Sequence, residues 1–225
     1  MGKIIAVVNQ KGGVGETTTS INLSASLGVL KKKVLLVDLD PQGNATTGLG
    51  VDKRKMTSSI YDVIINEVPL NEASLNTMQE TLKLCPSSIS LAGAEIELVS
   101  LLSRENRLKY AISEVQDDYD YSFIDCPPSL GLLTLNALTA ADTVLVPIQC
   151  EYFALEGLSQ LMDTVKLVQK HLNRNLKVEG VVLTMFDART NLSIEVAEEV
   201  RKHFTNKVYQ TLIPRNVRLS EAPSY

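Results

Sequence analysis

Short apolar runs recur along the chain, at 4–8, 34–37, 82–85, 121–125, 143–149, 178–185 and 208–213. They are rich in β-branched residues and show little polar alternation, which predicts strands buried on both faces. Between them, apolar residues fall at helical spacing. Ile21, Leu23, Leu27 and Leu30 predict an amphipathic helix over 20–30, ended by Lys31-Lys32-Lys33. Further helices are expected over 58–65, over 95–115 with a break near Ser103, over 154–172, and over 194–204 with Glu195, Glu198 and Glu199 as a solvated face. Loops are expected at 53–55, 186–191 and 214–218, and 51–76 is the least patterned stretch. Strands alternating with helices predict an α/β fold, a mostly parallel twisted sheet with helices on both faces. With no repeat, linker or low-complexity tract, 1–225 reads as a single domain.

Composition narrows the function classes. A 44% hydrophobic content over 225 residues supplies a full core. The net charge of −4 carries no global basic signal, so contact with nucleic acid needs a local patch. Cys85, Cys126 and Cys150 are scattered and lack C-x-x-C spacing, which points to reduced thiols and a cytoplasmic setting. No signal peptide precedes the first strand. No apolar run approaches the ~20 residues of a membrane span.

The stretch after the first strand carries the chemistry. Lys11-Gly12-Gly13-Val14-Gly15-Glu16-Thr17-Thr18 joins a buried strand to a helix start. In that context a glycine-rich loop turns several N–H groups inward, and the helix N-terminus adds partial positive charge, so the loop suits phosphate. The Thr17 hydroxyl is placed to ligate Mg²⁺. Asp38 and Asp40 end the 34–37 strand, and Asp125, followed by Cys126-Pro127-Pro128, ends the 121–125 strand. Acids at the C-terminal tips of parallel strands face the ligand crevice, where a carboxylate serves Mg²⁺ and its waters.

KGGVGETT, DLDPQGN and IDCPP, together with EYFALEGL at 151–158 and TLIPRNVRLSEAPS at 211–224, resemble the ParA/Soj family of chromosome- and plasmid-partitioning ATPases. The first of these is similar to the deviant Walker A loop K-G-G-x-G-K-[ST], with Lys11 as its signature lysine. The resemblance covers essentially the whole chain and implies a P-loop NTPase fold. It implies ATP and Mg²⁺ as ligands, bound by Lys11, Gly12, Gly13, Val14, Gly15, Glu16, Thr17 and Thr18. Two chains then form a face-to-face dimer in which Lys11 crosses to the partner's phosphates. Gly12 stays small where the loops meet, Thr17 ligates Mg²⁺ and Thr18 holds the α-phosphate. Asp40 orients the attacking water, and Asp125 supports Mg²⁺ through water. Pro214 and Asn216 fall in the adenine-contacting loop. Arg189 and Arg218 match positions that bind DNA without sequence preference. A ParB-type partner stimulates hydrolysis and releases the dimer from a nucleoid-associated state.

Two departures bear on these expectations. Glu16 stands where the loop consensus has the lysine that reaches the β- and γ-phosphates, a change of two charge units against a polyanion. Two charges ~4 Å apart interact by roughly 4 kcal/mol at an effective dielectric near 20, so the chain is expected to be nucleotide-defective and monomeric. A Glu16 side chain swung out to solvent would instead leave the N–H cradle open to ADP. The second departure is at the end, where a closing loop and helix of the family are absent from the sequence. A MinD-like membrane-cycling ATPase shares the nucleotide motifs but needs an amphipathic C-terminal helix. A nitrogenase-iron-protein-like carrier needs cluster cysteines, whereas Cys126 fits the strand-end motif. A third alternative is a non-enzymatic apo monomer that binds only a partner. His171 and His203 receive no metal or catalytic role.

Overall fold

The computed structural model describes residues 2–152 and 154–222. Phe153 of the 151–158 segment, and Pro223 and Ser224 of the 211–224 segment, lie outside the described residues. The strands are β1 (Lys3–Val7), β2 (Val34–Asp38), β3 (Leu75–Asn76), β4 (Leu82–Cys85), β5 (Tyr121–Asp125), β6 (Thr143–Gln149), β7 (Lys177–Phe186) and β8 (Val208–Pro214). They form one sheet in the order β3-β4-β2-β5-β1-β6-β7-β8. Every pairing is parallel except β3 with β4.

The α-helices are α1 (Glu16–Val29), α2 (Asn44–Gly48), α3 (Ile60–Asn66), α4 (Leu70–Ala73), α5 (Leu91–Val99), α6 (Arg107–Ser113), α7 (Leu132–Ala140), α8 (Ala154–His171), α9 (Asn191–His203) and α10 (Val217–Glu221). Alternate strand residues feed two cores. Ile5, Val7, Leu36 and Phe123 face the side covered by α1 and α2, where Ile21, Ala25 and Leu27 pack against them. Ile4, Ala6, Val8, Leu35 and Val37 face the larger core built with α3 to α9. Side chains of a pleated strand alternate between faces, so one apolar run serves both.

The structure alters several local expectations. Of the expected apolar stripe on α1, Ile21 and Leu27 pack against the core while Leu23 and Leu30 are exposed, and the most deeply buried face carries Ser20, Ser24 and Gly28. Small residues let the helix lie close to the sheet. A Cβ on Gly28 would come within 2.8 Å of the Gln79 side chain. The 95–115 helix is three pieces: α5, a 3₁₀ turn at Arg104–Asn106, and α6. The break falls at Ser103, whose φ of 51° lies in the left-handed region and cannot continue a helix. The 214–218 loop is shorter than expected, because β8 runs to Pro214 and Arg218 sits in α10, capped by Asn216. The 53–55 turn is an exposed 3₁₀ turn, and the 58–65 helix is α3, opened by a Ser59–Asp62 capping box.

Buried Asn136 on α7 ties the broken region together. Its carbonyl oxygen accepts from the Leu108 amide at 3.1 Å, and its amide donates to the Arg104 carbonyl at 2.8 Å and to the Leu132 carbonyl at 2.9 Å. Asn136→Ala leaves these buried groups unpaired and is expected to destabilise the fold by about 2–4 kcal/mol. Urea unfolding of the two chains measures this.

Candidate functional site

The loop between β1 and α1 rises from the centre of the sheet. β1 lies beside β5, β5 lies beside β2, and Asp38 pairs in register with Asp125. The tips of three adjacent strands therefore deliver the loop, Asp40 and Asp125 to one edge. Gly13 (φ 77°) and Gly15 (φ 97°) take left-handed conformations, which turn the loop so that α1 begins at Glu16. Open space faces Gly13. A Cβ on Gly12 would stand 3.4 Å from Pro128, so the prolines after β5 wall one side of the loop.

Long-range bonds fix this geometry. The Thr184 hydroxyl on β7 donates to the Val14 carbonyl at 2.6 Å. Asn9 donates to the Pro147 carbonyl at 2.6 Å and accepts from the Lys11 amide at 3.0 Å. The Ser20 hydroxyl, on the inner face of α1, donates to Asp125 Oδ1 at 2.9 Å. The Thr17 hydroxyl also faces Asp125. Asp38 accepts from the Thr46 hydroxyl at 2.6 Å and its amide at 2.7 Å, which anchors α2 and leaves Asp40 as the acid beside the loop. Asp40 accepts from the Gln42 amide at 2.9 Å.

Four buried acids crowd this edge: Glu16, Asp38, Asp40 and Asp125. Burial holds the Asp125 carboxyl well above its ordinary range, the charge of Asp38 adds to that, and bonds from Ser20 and Thr17 oppose it. Asp38 is pushed up to about 6, chiefly by burial, against the bonds from Thr46. Glu16 does not swing out to solvent. It is 7% exposed, and its carboxyl is pushed up to about 7, first by burial and further by Asp40, while the N–H groups of Glu16, Val14 and Gly15 pull it down. Asp125 Oδ2 and Glu16 Oε1 are sealed from solvent without a hydrogen-bond partner. Near pH 7 Glu16 is therefore about half ionised, a weaker anion than the sequence alone implied.

Lys11 is held within its own chain, with Nζ 2.7 Å from Glu151 Oε2. Gln149 donates to the other oxygen of Glu151. Beyond the loop a cleft of about 130 Å³ runs past Gly15, Thr18, Thr184 and Met185 to Pro214 and Asn216. Arg189 lies on the loop after β7, exposed and 2.7 Å from Asp187, whose carboxyl it holds down to about 2. Arg215 also acts on Asp187. Arg218 is exposed on α10.

Two comparisons of sequence decide the family. A model described as an AAA domain matches residues 2–178. The sporulation initiation inhibitor protein Soj of Bacillus subtilis is 63% identical over 225 residues, covering 100% of this chain and 89% of that one. The chain belongs to the Soj/ParA family of chromosome-partitioning ATPases. The chromosome partitioning protein ParA of Myxococcus xanthus is 54% identical, over 100% of this chain and 80% of its own length. In three dimensions this Soj/ParA chain is similar to a cobyrinic acid a,c-diamide synthase from Mycobacterium smegmatis solved with ADP and magnesium. The two share a TM-score of 0.91 and 41% identity over 100% of this chain and 92% of that one.

The structure thus brings Gly12, Gly13, Val14, Gly15, Glu16, Thr17, Asp40 and Asp125 together, and sets Thr18, Pro214 and Asn216 along the adjoining cleft. Glu151, Thr184 and Ser20 were not anticipated as parts of the site. Glu151 had one signal, its place in the EYFALEGL segment. Thr184 and Ser20 had none, since their partners lie 170 and 105 residues away.

Proposed function

We propose that this chain is a DNA-partitioning ATPase of the Soj/ParA type whose own Glu16 weakens its hold on nucleotide. The observation that supports this reading is the meeting of an N–H-lined loop with Asp40 and Asp125 at adjacent strand tips. The donor set suits a nucleotide with Mg²⁺. Thr17 offers a hydroxyl, Asp125 has a sealed and unpartnered oxygen, and Asp40 stands beside them. The metal supplies charge neutralisation at the transferring phosphoryl group. The protein's share is positioning: the loop amides hold phosphate oxygens, Thr18 borders the α-phosphate, Pro214 and Asn216 border the base, and Asp40 orients a water.

In the dimer Lys11 leaves Glu151 and reaches the partner's phosphates. With Glu16 in place the chain stays a monomer, because Lys11 arrives only after nucleotide has bound. Light scattering with and without Mg-ATP tests the reading, on this chain and on Glu16→Lys. ATP-dependent pairing of the substituted chain is expected, and a chain that stays monomeric in both forms sinks it.

DNA and a ParB-type protein are the proposed partners, the dimer resting on the nucleoid. Among the described residues no helix is long and apolar enough to cross a membrane. Phosphate-directed binding needs only arginines, and each charge lost lowers the slope of log affinity against log salt by about 0.9. In an ATP-paired Glu16→Lys dimer, Arg218→Ala removes two charges, so the slope is expected to fall by about 1.8, alike for unrelated DNA sequences. Arg189→Ala is expected to do less, because Asp187 already shares that charge. Filter binding across a salt series measures both.

A further inference from the structure

Asp40 stands on a tight turn that can be traced bond by bond. The Gly43 amide donates to the Asp40 carbonyl at 2.8 Å, which closes the turn Asp40-Pro41-Gln42-Gly43. Pro41 fixes φ at its second position, and the Gln42 amide donates to Asp40 Oδ1 at 2.9 Å. The carboxyl is therefore aimed by its own turn. One peptide of that turn carries a further contact. Lys53, on the 3₁₀ turn after α2, donates from Nζ to the Gln42 carbonyl at 2.5 Å. That carbonyl and the Gly43 N–H belong to the same peptide group, so a cation on the oxygen polarises the N–H that closes the turn.

An exposed lysine ordinarily holds no fixed place. Lys53 has a seat. A Cβ on Gly43 would come within 2.7 Å of its Nζ and 2.8 Å of its Cε, so the lysine lies across the glycine. Gly43 is required twice, by its φ of 60° and by the side chain above it. The base of Lys53 is anchored too. The Val51 amide donates to the Thr46 carbonyl at 3.2 Å, and the Thr46 hydroxyl donates to Asp38 and accepts from the Ser87 amide at 2.8 Å. Asp52 caps the 3₁₀ turn by accepting from the Arg54 amide at 3.1 Å. Residues 43–53 thus leave the Asp40 turn, are pinned beside the ends of β2 and β4, and return over it.

We propose that Lys53 is a positioning residue for phosphoryl transfer: it clamps the Gln42–Gly43 peptide and so fixes the direction in which Asp40 presents its carboxylate to the attacking water. This rests on the nucleotide reading above and adds to it a residue that no nucleotide motif marks. Lys53 acts only through the turn. Its loss therefore lowers the rate of the chemical step and leaves the affinity for nucleotide in place.

Two variants test this. Lys53→Met keeps most of the stem and removes the donor, and Lys53→Arg keeps charge and donors. In the otherwise unchanged chain without ligand, hydrogen exchange followed by NMR is expected to show the Gly43 amide exchanging about tenfold faster in Lys53→Met. Lys53→Arg is expected to return it towards the parent, with the amides of β1 and β5 unmoved in both. In the Glu16→Lys chain, Lys53→Met is expected to lower kcat for ATP hydrolysis about tenfold with KM for ATP within twofold, and Lys53→Arg to recover most of the rate. Unchanged Gly43 exchange overturns the proposal, as does a kcat within twofold of the control or a loss that falls on KM instead. A Glu16→Lys control that hydrolyses no ATP sinks the nucleotide reading, a failure that the exchange measurement tells apart from failure of the clamp.

Discussion

Glu16→Lys is expected to tighten Mg-ATP binding by roughly two to three orders of magnitude in isothermal titration calorimetry, about 3–4 kcal/mol. At an effective dielectric near 20, a lysine ammonium ~4 Å from a phosphate oxygen contributes roughly 4 kcal/mol of attraction. Removing the acid adds less than a full charge of relief, because Glu16 at about 7 is only half ionised at neutral pH. Desolvating the new ammonium in a site that already buries its side chain takes part of this back. An affinity change below tenfold would show that the loop amides alone carry the phosphate and that residue 16 is a bystander.

The second large effect is on stability against pH. Glu16 is pushed from 4.5 to about 7 and Asp38 from 3.8 to about 6. Both are acids with raised values, so the folded chain binds more protons than the unfolded one between these limits, and stability falls as pH rises through the window. Glu16→Gln removes one of these contributions. Guanidinium unfolding at pH 8 should show the amide variant more stable than the parent by roughly 2–3 kcal/mol beyond their difference at pH 5, since each pKa unit is worth about 1.36 kcal/mol. A difference that does not change between the two pH values would place the Glu16 carboxyl in solvent.

Most of the sheet was legible because its strands are buried on both faces and so read as continuous apolar runs. The helices were legible only where one face is wet. α8 and α9 show that pattern, but α7 does not. From Leu133 to Ala140 nearly every side chain is buried, so no polar stripe marks it, and it passed unannounced. On α1 the periodic apolar residues were half informative: Ile21 and Leu27 pack on the core, Leu23 and Leu30 do not, and the most buried positions are serine and glycine, which leave no hydrophobic signal. At the candidate site, the loop and the two aspartates sit in local motifs, and those motifs were readable. The hold of Glu151 on Lys11 joins residues 140 positions apart and could come only from the folded chain. The direction taken by Glu16 was equally hidden, because a residue type does not say which way its side chain turns.

The two ends of the cleft rest on unequal foundations. β1, β2 and β5 lie at the centre of the sheet, and nearly all their residues are buried. β8 is an edge strand with mostly exposed residues, and its pairing with β7 slips register twice. Amide protons along β8 therefore exchange with solvent ahead of those in β1, and the wall formed by Pro214 and Asn216 loosens while the phosphate end stays rigid. On the proposed nucleotide placement, a base would therefore leave its end of the cleft before the phosphates leave theirs.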